Sequence, residues 1–89
     1  MILRRRHKRL AEMSAREAWN QACTMDLSPN QRYLYANRRA EEALLARRRE
    51  FGNGEVGSIV TSLLLSLAIK FATKLLLRWL EEELLERES

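Results

Sequence analysis

Turn-forming residues are scarce: among 89 residues there are three glycines and one proline. That leaves too few punctuation points for a hairpin-rich β architecture and favours long helices. Cysteine occurs once, at Cys23, and histidine once, at His7. One cysteine closes no internal disulfide, and a structural zinc site takes about four ligands, so the chain alone supplies neither staple. Cys23, among Trp19, Ala22 and Met25, reads as a small buried apolar residue. His7, inside a run of Arg and Lys, reads as a surface cation when protonated. Catalytic signatures are missing too: no Gly-rich phosphate loop, G-x-S-x-G, H-E-x-x-H, Glu-x-x-His or C-x-x-C pattern occurs. The chain therefore reads as a non-enzyme, with no metal, no cofactor and no small-molecule substrate. An apolar leader is also lacking: Ile2 and Leu3 run straight into an arginine cluster, so no secretory signal peptide is expected.

What is present is strongly charged and strongly apolar at once. Hydrophobic residues make up 46% and charged residues 31%. That is too apolar for wholesale disorder, in a length that suits one domain rather than two. The net charge of +4 hides an asymmetry. Residues 1–51 hold 12 basic and 6 acidic side chains, whereas 52–89 hold 4 basic and 6 acidic. The basic part would be drawn to a polyanion: nucleic acid, an anionic membrane surface or an acidic protein. Of the 16 basic residues 13 are arginine, the residue suited to bidentate phosphate and carboxylate contacts. Arg4, Arg5, Arg6, Lys8 and Arg9 form one candidate cluster. Arg32, Arg38 and Arg39, beside Tyr33 and Tyr35, form a basic-aromatic second one. Pairs at i,i+4, Glu12–Arg16 and Arg38–Glu42, would neutralise part of this face. Sequence-specific DNA reading is not expected, because no helix-turn-helix spacing with a Gly turn occurs.

Three helices follow from start and stop signals. The first runs roughly from Leu3 to Thr24 along an alanine row, Ala11, Ala15, Ala18 and Ala22, continued by Met25. Steps of 4, 3, 4 and 3 are the seam of a coiled-coil-like contact. Ser28-Pro29-Asn30-Gln31 then combines an N-cap serine, proline at the first helical position and glutamine three residues on, a capping box. The second helix runs from Pro29 to about Phe51 along Tyr33, Ala36, Ala40 and Ala43. Two alanine-seamed helices joined by a short turn predict a basic antiparallel αα hairpin over 1–51. Small seam residues let backbones approach closely. Gly52-Asn53-Gly54 is expected to end it, with Gly52 as a left-handed cap.

The third helix is expected over 55–86, within a segment 55–89 whose tail is acidic. It carries no charge from Val56 to Ile69, a run of 14 residues. Its polar residues recur at every fourth position: Ser58, Ser62, Ser66, Lys70, Lys74, Arg78 and Glu82. That row winds slowly round a helix of 3.6 residues per turn. The other rows are almost wholly apolar, so the helix must be buried in protein or in lipid. A span takes ~20 mostly apolar residues, and Lys70 and Lys74 would then have to snorkel or face a polar interior. If the helix spans, Arg47–Arg49 predict a cytoplasmic N-terminus.

The all-α architecture thus expected is a basic hairpin followed by one long, mostly apolar helix. Alanine seams cover little area, which predicts that the third helix is completed by lipid, by copies of itself or by another protein. Its assembly or membrane face is assigned to Ile59, Val60, Leu63, Leu64, Leu67, Phe71, Leu75, Leu76 and Trp79. The close-packing positions are the alanines Ala11, Ala15, Ala18, Ala22, Ala36, Ala40 and Ala43 with the small-residue row Ser58, Ser62 and Ser66. In composition the layout resembles small bacteriophage virion, ejection and holin-like proteins. The expected role is a structural or accessory protein, a homo-oligomer or subunit of a large assembly, membrane-associated or within a multi-subunit particle. The alternative is a nucleic-acid-binding module that oligomerises through the apolar helix.

Overall fold

A computed structural model describes residues 4–52 and 58–88, with the backbone alone at 58, 87 and 88. It holds three α-helices, α1 (Arg5–Cys23), α2 (Pro29–Ala46) and α3 (Ser58–Glu88), and no strand among the described residues. The expected turn at Asn53 and Gly54, a helix start at Glu55, and the side chain of Ser58 lie outside the described residues.

The start of α2 follows from local chemistry. Gln31 N–H donates to Ser28 Oγ (3.4 Å) and Ser28 N–H donates to Gln31 Oε1 (3.2 Å), with Pro29 at the first helical position. Two otherwise orphaned donors are satisfied reciprocally. The other end of α2 departs from expectation. The helix stops at Ala46 and a 3₁₀ turn covers Arg48–Phe51. Tightening to about three residues per turn swings Phe51 into the interior, where it is buried. Gly52 is not a left-handed cap: its φ of −168° and ψ of 155° are extended. Glycine is required there by proximity instead. A Cβ on Gly52 would overlap Thr61 Oγ1 and come within 3.2 Å of Thr61 Cβ.

Distant pairs define the topology. His7 near Glu50, Asn37 near Thr73, Arg32 near Glu83 and Trp19 near Trp79 make α2 antiparallel to both α1 and α3. The core is the meeting of the seams: Ala11, Ala15, Ala18 and Ala22 from α1, Ala36, Ala40 and Leu44 from α2, and Leu65, Ala68, Ala72 and Leu76 from α3, with Phe51 closing one end. Methyl groups at these positions let the helices lie close, and the molecule is a slim body of 50 × 23 × 16 Å.

The seams shift in detail from the expected ones. Leu44 rather than Ala43 completes the α2 seam, and Ala43 is half-buried. Met25 is exposed because α1 has already ended at Cys23. Cys23 is exposed rather than buried: one residue beyond Ala22, it lies ~100° round the helix from the seam. Leu76, assigned to an outward face, is fully buried within the chain. The hairpin covers one strip of α3, Thr61, Leu65, Ala68, Ala72, Leu76 and Leu80. Ser62 and Ser66 point to solvent, not into a helix contact.

Candidate functional site

The bundle has two unlike ends. At one, the start of α1, the 3₁₀ turn and the start of α3 converge. Arg4, Arg6, His7, Arg49, Glu50, Phe51, Gly52, Val60 and Leu64 line a cleft of about 260 Å³ there. His7, expected on the surface, is only 5% exposed. Its ring stacks on Phe51 with centroids 4.7 Å apart and planes 27° from parallel. Nε2 lies 3.2 Å from the Glu50 carbonyl oxygen. A carbonyl only accepts, so Nε2 carries the proton in that contact. In the neutral ring Nδ1 is then a buried acceptor, and it has no hydrogen-bond partner among the described residues. Leaving such a group unmatched costs ~1–3 kcal/mol.

Charge collects at the same end. Arg4, Arg5, Arg6, Lys8 and Arg9 surround the start of α1, and Arg47, Arg48 and Arg49 surround the end of α2, with Glu50 beside them. Glu50 Oε1 pairs with Arg47 at 3.5 Å, and the other seven cations form no ion pair among the described residues. The first turn of α1 holds no acidic residue. Cations at a helix N-terminus oppose its dipole at a cost of ~0.3–1 kcal/mol each. This arrangement is therefore not there to hold the helix together. Beside it, Ile59, Val60 and Leu63 are 74%, 41% and 47% exposed. Arg5, Lys8, Arg9, Met13 and Arg16 continue the basic surface as a groove along α1, interrupted by Glu12.

At the opposite end the charges are answered from within. Arg32, expected to meet a polyanion, pairs with Glu83 of α3 and also donates to the Leu27 carbonyl (3.4 Å). The hydrogen bond to Glu83 raises the Arg32 pKa above its ordinary value. Arg16 lies over the Trp79 ring, 4.5 Å from its centroid, instead of pairing with Glu12, and Trp79 in turn meets Trp19 at 6.3 Å. Thr73 Oγ1 donates to Asn37 Oδ1 at 2.7 Å. Arg38 and Arg39 sit on the exposed side of α2, both near Glu42 (3.4 and 3.8 Å). The two expected basic clusters are thus separate. The one that gathers takes Arg49 in place of Arg32, Arg38 and Arg39.

The expected outward face of α3 is likewise divided. Ile59, Val60 and Leu63 are open, Leu64, Leu67, Phe71, Leu75 and Trp79 are half-buried, and Leu76 is enclosed. Lys70, Lys74 and Arg78 project away from the bundle. By length and composition Ile59–Glu86 is apolar enough to cross a membrane, and only 28% of its most apolar 18-residue stretch is buried. Among the described residues no cluster of His, Cys, Asp and Glu is arranged to hold a metal ion. No protein-family model matches this chain, no curated protein matches it in sequence, and no solved structure matches it in fold.

Proposed function

We propose that this chain is a non-enzymatic structural protein that docks end-on against an anionic membrane surface. The single observation that carries the reading is the basic end: among the described residues seven cations there form no ion pair, and three of them, Arg4, Arg6 and Arg49, line a cleft with Val60, in the same first turns of α3 as the exposed Ile59 and Leu63. Apolar side chains entering the headgroup region and flanking cations meeting anionic lipid are the two halves of interfacial binding. The α3 rows support the same orientation. A full span with the bundle intact would carry Lys70 and Lys74 into hydrocarbon at ~2.5–3.5 kcal/mol each.

Brominated-lipid quenching on anionic vesicles tests this. Trp79 lies 20 residues along α3 from Ile59, roughly 30 Å. In end-on docking the fluorescence of Trp19 and Trp79 stays unquenched while that of an Ile59→Trp variant is quenched. Quenching of the native tryptophans would establish a span or a side-on pose and reject end-on docking. Nucleic acid is the competing ligand, favoured by the groove of Arg5, Lys8, Arg9 and Arg16 along α1. Binding to duplex DNA that falls steeply with salt, with none to anionic vesicles, would replace the membrane reading.

A further inference from the structure

We infer that the cleft between α1, the 3₁₀ turn and α3 is a selective site for a phosphate monoester, as displayed by a lipid such as phosphatidic acid. The inference rests on the membrane reading for the source of the ligand, but the site is argued from its own chemistry. Three guanidinium side chains, Arg4, Arg6 and Arg49, line one cleft with His7 and a single carboxylate residue, Glu50, whose Oε1 is paired with Arg47. They come from two segments more than forty residues apart in sequence. Arg49 and Arg6 form no ion pair among the described residues, so each keeps its donors for an anion. Arginine presents a planar fork suited to two oxygens of one phosphate. The cleft also sits at the positive end of the α1 dipole.

The independent observation is His7. It is buried, lines the cleft, and has one nitrogen committed to the Glu50 carbonyl while Nδ1 has no partner among the described residues. An unprotonated Nδ1 accepts a hydrogen bond. A phosphate monoester near neutral pH still bears a P–O–H in part of its population, because its second pKa is about 6. Such a group donates to Nδ1 while its anionic oxygens take the arginines. A phosphodiester headgroup and sulfate have no such hydrogen at neutral pH. The cleft therefore discriminates by hydrogen-bond donation as well as by charge.

Two arms test the site and separate its ligand sources. In the first, inorganic phosphate is titrated into the full chain while the His7 ring nitrogens are followed by NMR. A saturable shift at Nδ1 is expected, weaker with sulfate by about tenfold, the effect of roughly one charge-assisted hydrogen bond. It is lost in R6Q/R49Q and kept in R5Q/R9Q, which removes two charges outside the cleft. In the second, vesicles carrying phosphatidic acid or phosphatidylserine at matched surface charge are compared by co-sedimentation. Tighter binding to phosphatidic acid that R6Q/R49Q abolishes assigns the cleft to a lipid headgroup. A selective phosphate shift with no such preference assigns it to a soluble phosphate monoester. Equal responses to phosphate and sulfate together with equal binding to both vesicles overturn the site, as do equal losses in the two double variants. Failure to bind any anionic vesicle rejects the docking reading alone, since the first arm uses no membrane.

Discussion

The two ends of this bundle handle charge in opposite ways. At the acidic end, Glu83 and Arg32 come from different helices and meet each other, and Arg16 settles on Trp79. Charge there is part of the packing. At the basic end, cations gather at the start of α1, where the helix dipole repels them, and among the described residues they find no internal counterpart apart from the Arg47–Glu50 pair. Open Ile59 and Leu63 sit beside them. One end uses its polar groups to close the fold, and the other holds them in an arrangement that costs stability. In the docking reading proposed above, that cost is borne by the cluster of exposed cations and apolar side chains that would meet the membrane surface.

The largest expected effect attacks the basic end. Replacing Arg5, Arg6, Arg48 and Arg49 by glutamine should weaken anionic-vesicle binding by about 4 kcal/mol, near a thousandfold, at ~1 kcal/mol per cation. The same measurement on Glu81→Gln/Glu82→Gln should show no loss. Comparable losses would erase the distinction between the ends. Next comes the shared core: Leu76→Ala should cost about 2–5 kcal/mol in urea unfolding, whereas Leu63→Ala, on the open side of α3, should cost little stability and weaken vesicle binding instead. Third, Arg32→Ala should destabilise by about 1–3 kcal/mol, because it removes both the pair with Glu83 and the hydrogen bond to the Leu27 carbonyl, whereas Arg49→Ala should leave the unfolding midpoint unchanged. Fourth, Gly52→Ala should destabilise by roughly 1–3 kcal/mol through its clash with Thr61. Thr61→Ala should restore part of that loss, a coupling that a double-mutant cycle reads directly. The smallest effect is Ser28→Ala, about 1 kcal/mol from the lost cap, with vesicle binding untouched.

What the sequence made legible was the part governed by short range. The Ser28–Gln31 box involves neighbours three apart, and the alanine steps of 3 and 4 announce a seam wherever they fall. The polar row from Ser62 to Glu82 was legible as a row, but its small members Ser62 and Ser66, expected to pack closely against another helix, face solvent. The site was only half legible. Arg4–Arg9 was plain as a run, but nothing local in Arg-Arg-Arg at 47–49 says that its last member joins them. Nor does anything around His7 announce burial, because the groups that bury it, Glu50 and Phe51, lie over forty residues away. Arg32 was misassigned for the same reason: its counterpart, Glu83, is 51 residues distant. Cys23 shows the opposite limit, where a step of one residue from Ala22 turned a side chain from the core to solvent.

The alanine seams carry a consequence for how such a chain changes over time. Tertiary specificity is stored in methyl groups that admit almost no alternative: a larger side chain overpacks, and glycine loosens the helix. A saturation mutagenesis library selected for folding should collapse at Ala11, Ala15, Ala22, Ala36, Ala40, Ala68 and Ala72 to alanine and its smallest neighbours. The arginines of the basic end and the exposed leucines would drift freely in that library. The recipe for the shape and the recipe for the surface are thus written in separate letters, and either can be rewritten without consulting the other.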